Sequence, residues 1–179
     1  LRALVPFNTW SDPLDGLAAR GGALELGVQA SWNLDMGLGV LLRRYGHDPE
    51  ALAQAVYALS VEIDNLGSHG YWSLPLREFA PLRRQAVAPA FFTTVVDPVD
   101  SSIEPVASAT IAGHQQGLPT PSLNLGGWYD VFLGGTLANY RAMQGQGSPA
   151  KLIVGPWTHV AQVRPVGQRD FGYASQEGF

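Results

Sequence analysis

Apolar and polar residues recur along this chain with two different periods. In residues 23–45, Leu24, Val28, Trp32, Met36, Leu38, Leu41 and Leu42 return at intervals of three and four, the spacing of one helix face. Gly27, Gly37 and Gly39 interrupt the run, and a break near Gly37 is expected. Arg43 and Arg44 fall in the last turn, where the helix dipole favours cations, and Gly46 is a natural stop. Asp48 followed by Pro49 reads as an N-cap and first helical position. The helix it opens runs to about Leu66, with Leu52, Val56, Leu59 and Ile63 on its apolar face. Residues 68–84 carry apolar anchors without a period, among them Tyr71, Trp72, Phe79 and Leu82, and read as a long ordered connection. Short helices are expected over 86–96, strained by Pro89, and over 104–113.

The pattern shortens after residue 118. Residues 121–125 and 151–154 read as strands, each followed by glycine, Gly126-Gly127 and Gly155-Pro156. Between them, 132–143 predicts a helix with Phe132, Leu133, Leu137 and Tyr140 on its apolar side. Strand, helix and strand make a βαβ unit, so the two strands should be parallel with a right-handed crossover. The apolar run at 1–5, stopped by Pro6, is one more strand candidate, and 7–22 reads as loop with Trp10 packed against the body. The fold class is therefore α/β.

Composition narrows the function classes. Hydrophobic residues make up 46%, enough for a packed core. Lys and Arg number 11 against 15 Asp and Glu, a net charge of −4, and no basic run occurs. Nucleic acid and acidic membrane surfaces are thus not expected partners. With no cysteine, disulfides and thiolate metal sites are excluded. No apolar run reaches the ~18 residues of a spanning helix. The opening LRALVPFNTW lacks a basic region followed by a long apolar one, and a cytoplasmic location is the expectation. Both ends read as internal to a longer protein.

In an open α/β sheet, chemistry gathers at the carboxyl ends of the strands. Asp130 lies a short loop beyond the first strand of the βαβ unit and His159 a short loop beyond the second. An aspartate that accepts from one ring nitrogen sets the tautomer of a histidine and leaves the other nitrogen to act as base. An aspartate after a strand is also a common helix cap, and a histidine in a Trp-Thr-His turn a common packing residue, so both readings stand at this point. Hydrolases of the α/β class order their triads Ser, then Asp or Glu, then His. Asp130 before His159 fits, but no G-x-S-x-G elbow precedes them; Gly67-Ser68 and Gly147-Ser148 have the wrong spacing. His47, His69 and His114 are scattered without metal spacing, and no phosphate-binding glycine pattern occurs. No metal and no cofactor is expected.

The stretches GGWYDVF (126–132) and LIVGPWTHV (152–160) resemble the Asp and His motifs of the cocaine esterase/Xaa-Pro dipeptidyl-peptidase-like (CocE/NonD) family of α/β-hydrolases. The opening residues resemble the stretch after that family's nucleophile elbow, and QRDFG at 168–172 resembles the stretch beyond its histidine. The resemblance implies a partial α/β-hydrolase fold, the C-terminal strands of a parallel sheet with a mostly helical inserted cap. Residues 1–9 would be an entering strand, 10–117 the cap, and 118–179 the C-terminal part of the hydrolase domain. It further implies that Asp130 and His159 serve a serine lying outside this chain, and that the chain alone is inactive. Phe132 and Trp157 would line the substrate pocket. The substrate would be a small ester, amide or peptide. The alternative is a helical binding or oligomerisation module with a structural βαβ tail, in which a homo-oligomer covers the sheet edge.

Overall fold

The computed structural model describes residues 2–87, 109–115, 118–145, 147–160 and 164–176. They fall into two units, Ala23–Ser102 and Leu1–Gly22 with Ile103–Phe179.

In the first unit, α1 (Leu26–Tyr45) and α2 (Pro49–Asp64) pack on each other. Asp48 caps α2 as expected, its carboxylate accepting from Ala51 N at 3.0 Å, with Pro49 opening the helix. The core comprises Ala30, Leu34 and Leu41 of α1, Leu59 and Leu66, and Phe79, Leu82 and Val87 from the chain beyond α2. Each large side chain buried there contributes about 1.5–3 kcal/mol.

Two expectations need correction here. The buried stripe of α1 is Gln29, Ala30, Leu34, Gly37 and Leu41, whereas Trp32, Met36, Leu38 and Leu42 are exposed. The chain is apolar on more than one side of α1, and α2 and α3 cover only one of them. Gly37 does not break the helix. It is a contact point, for a β-carbon built there would lie 2.8 Å from Val87 Cγ2. The connection after α2 contains two 3₁₀ turns (Gly70–Trp72 and Leu76–Glu78) and a short helix, α3 (Ala80–Gln85). Ala86, at φ 50°, ends α3 in the left-handed region, so no helix starts at 86. The rest of the helix expected over 86–96, and residues 104–108 of the next one, lie outside the described residues. Residues 109–113 form turns.

The second unit is built on a parallel pair, β1 (Ser122–Tyr129) and β2 (Ala150–Thr158), joined through α4 (Leu133–Gly145). Residues 4–8 add a third parallel segment on the other side of β1, with bridges at Leu4↔Ser122 and Phe7↔Leu125. Its ladder runs through Leu4 N to Pro121 O, Leu123 N to Leu4 O, and Leu125 N to Pro6 O, all at 2.9–3.0 Å. β1 is thus central, which explains why five of its residues, Ser122 and Asn124 to Gly127, are buried. Beyond β2 comes a hairpin, β3 (Pro165–Val166) and β4 (Arg169–Asp170). The chain thus combines helices with parallel strands, as expected of an α/β protein. Among the described residues no helix is long and apolar enough to cross a membrane.

Both strands run farther than the apolar pattern suggested. Gly126-Gly127 and Gly155-Pro156 are inside β1 and β2, not after them. These glycines exist for close approach. A β-carbon on Gly126 would lie 3.2 Å from Thr136 Cγ2 of α4, and one on Gly127 would lie 2.7 Å from the carbonyl carbon of Trp157.

Candidate active site

Because the strands run on, Asp130 and His159 each come directly after a strand. Register alone does not bring them together. Gly127 pairs with Gly155 but Tyr129 pairs with Thr158, so Trp128 alone faces Pro156 and Trp157. This is a bulge on β2, and bulges bend a strand and re-aim the side chains beyond it. Trp157 takes up the extra length. It is 2% exposed, its ring lies over Gly155, and its indole Nε1 donates to Ser175 O. The residue expected to line the substrate pocket is thus a buried residue of the bulge.

Beyond the bulge, His159 Nδ1 lies 3.0 Å from Asp130 Oδ1. The carboxylate side chain is 0% exposed and the imidazole 38%. A carboxylate has no proton to give, so in this contact Nδ1 carries the hydrogen and donates it, and in the neutral ring the lone pair is on Nε2. Asp130 Oδ1 also accepts from Phe132 N at 3.2 Å. The aspartate is therefore both the cap of the turn into α4 and the partner of the histidine; the two readings open at the sequence level are compatible. Its other oxygen, Oδ2, is buried with no partner among the described residues.

Phe132 is 5% exposed and meets the imidazole edge-on, ring centroids 5.0 Å apart. Trp10 also packs edge-on with Phe132, at 5.6 Å, and its indole donates to Ala109 O at 2.9 Å. Phe132 thus touches both Trp10 and His159. The loop bearing Trp10 is tied to α4. Asn139 Nδ2 donates to Trp10 O at 3.0 Å and Thr136 Oγ1 accepts from Thr9 N at 3.2 Å, while Gln115 Nε2 donates to Asn139 Oδ1 at 2.7 Å. Gly135 lets that loop come close, since a β-carbon there would lie 2.7 Å from Trp10 Cα.

This overturns the expected face of α4. Its buried residues are Thr136, Asn139 and Met143, and Leu133, Leu137 and Tyr140 are only half-buried. Loop backbone groups need partners when buried, and Thr136 and Asn139, three residues apart on α4, supply them. Apolar periodicity cannot report such a face.

One residue of the site went unnoticed in the sequence. Asn8 is 6% exposed, and its Nδ2 donates to the carbonyls of Thr158 (3.2 Å) and His159 (3.1 Å). Its signal, an asparagine just past a strand-like run, is too common to be decisive. Outside the pair stand exposed aromatics. Trp128 and Tyr129 are 66% and 51% exposed, and Tyr129 touches Phe171 with centroids 6.1 Å apart. His47, His69 and His114 are exposed, and no cluster of three or more His, Asp or Glu suited to a metal occurs among the described residues.

Over residues 1–161 the chain matches the model of the X-Pro dipeptidyl-peptidase (S15) family. It is also similar to a cocaine esterase of Rhodococcus sp. (strain MB1 Bresler), 32% identical over 155 residues, which is 87% of this chain and 26% of the relative. The chain therefore spans about a quarter of that relative's length. With the family match covering nearly the whole chain, this protein belongs to the X-Pro dipeptidyl-peptidase (S15) family of hydrolases.

Proposed function

We propose that this chain is the part of a longer serine hydrolase that supplies the Asp and His of a Ser-Asp-His triad. The observation that carries the reading is the 3.0 Å contact of His159 Nδ1 with a fully buried Asp130 carboxylate at adjacent parallel strand ends. Nε2 of His159 would take the proton of a serine hydroxyl as the oxygen attacks an ester or amide carbonyl. Asp130 would stabilise the imidazolium so formed. That imidazolium would then protonate the leaving alcohol or amine, and water would release the acyl group by the same route. The sheet unit, residues 1–22 and 103–179, would belong to the hydrolase domain, and the helical unit 23–102 would be a cap shorter than the 10–117 expected from sequence. Phe132 would present the imidazole to the substrate side. The names of the family and the relative point to different scissile bonds, the amide that follows an X-Pro dipeptide and an ester, so both substrate classes are to be assayed.

The test is hydrolysis of p-nitrophenyl esters and of X-Pro anilides by the full-length hydrolase and its variants. Asp130→Asn should lower kcat by about 10⁴-fold, as expected when a triad histidine loses its orienting carboxylate. His159→Ala should lower it at least as far. Activity within tenfold of the parent in either variant would reject the reading. The 179-residue chain by itself should turn over neither substrate.

A further inference from the structure

Asn8 ends the parallel segment 4–8, on the far side of β1 from β2. Its own N–H donates to Leu125 O at 3.0 Å, which fixes its backbone to the central strand. Its φ of 48° lies in the left-handed region, which asparagine, aspartate and glycine adopt most readily. The two protons of Nδ2 go to the carbonyl oxygens of Thr158 and His159. Those carbonyls stand immediately before and after the backbone nitrogen and Cα of His159. A single side chain therefore holds the peptide on each side of the histidine, from across the sheet. A carboxylate has no proton for either carbonyl, and a hydroxyl has one proton for two.

Resting on the Asp-His reading above, we propose that Asn8 is a positioning residue for the reaction. Its amide fixes the main chain of His159 so that Nδ1 meets Asp130 while Nε2 stays directed outward. Phe132 touches the ring, Asp130 fixes its rotation, and Asn8 sets where its Cα stands. Losing the amide would free the turn after β2, and the ring would sample positions out of reach of the carboxylate. Such an effect acts on the chemical step and leaves ground-state binding of substrate alone.

The experiment uses the full-length hydrolase with Asn8→Gly and Asn8→Asp. Both residues accept φ of 48° and neither can donate to the two carbonyls. In each variant kcat should fall about 10- to 100-fold, the scale of a misplacement near 1 Å, with KM within about twofold. The low-field Nδ1 proton resonance of His159 should weaken or vanish. A residue needed only for its backbone conformation would leave kcat and that resonance unchanged in Asn8→Gly, and this result would overturn the proposal. If Asn8→Gly does not fold, Asn8→Asp decides by the same readings. His159→Ala is measured alongside. Its retaining activity would sink the triad reading itself, whereas an inactive His159→Ala with a fully active Asn8→Gly would remove only the role of Asn8.

Discussion

Replacing Gly127 by alanine tests how the bulge places the histidine. The added β-carbon would stand 2.7 Å from the carbonyl carbon of Trp157 and nearer still to its oxygen. Ordinary carbon contacts are about 3.5–4.0 Å, so β2 must move by about 1 Å at this point. The obstructing atoms are backbone, and no side-chain rotation relieves them. Overpacking of this kind costs about 1–3 kcal/mol. For a domain of this size each kcal/mol lowers Tm by about 2–4 °C, so Gly127→Ala should melt roughly 2–12 °C below the parent by circular dichroism. Trp157 is two residues from His159, so the displacement passes to the imidazole. A 1 Å error there is worth about 10²-fold in kcat. Gly27→Ala is the control. Nothing lies within 4 Å of a β-carbon at Gly27 in the first turn of α1, and alanine there should stabilise by up to about 1 kcal/mol. Unchanged Tm and kcat in Gly127→Ala, with the control behaving as stated, would mean the strands have slack at 127. The bulge would then not be what sets His159.

Two further outcomes rest on the packing. Asn139→Leu should leave Trp10 O and Gln115 Nε2 without their partners, at about 1–3 kcal/mol for each buried group; urea unfolding should show a lower midpoint with an unchanged slope, and an unshifted midpoint would refute the polar face of α4. Asp48→Ala should cost about 1 kcal/mol through loss of the cap to Ala51 N, while Asp48→Ser should restore most of it in the same melt.

Much of the helical unit was legible in the chain. Asp48-Pro49 announced α2 because capping is local chemistry, satisfied by atoms three residues away. The apolar face of α2 was legible too, since Leu52, Val56, Leu59 and Ile63 all join or flank the core. The face of α1 was not, because several of its sides are apolar and only the packing of α2 and α3 chooses among them. The strand ends were misplaced because glycine has two uses. It opens turns, and it also permits backbones to touch; the sequence does not say which.

By itself the sequence determined the βαβ order, the identity of Asp130 and His159, and their places near two parallel strand ends, since those depend on period and chain order. It also determined the family, through motifs that are continuous in the chain. Tertiary structure decided that the two side chains meet. Around that contact stand a bulge at Trp157, glycines that let β1, β2 and the Trp10 loop approach, and the amide of Asn8, bonded to the carbonyl of Thr158 150 residues away in the chain. Contacts of such separation arise from three-dimensional packing, and no local period along a chain encodes them.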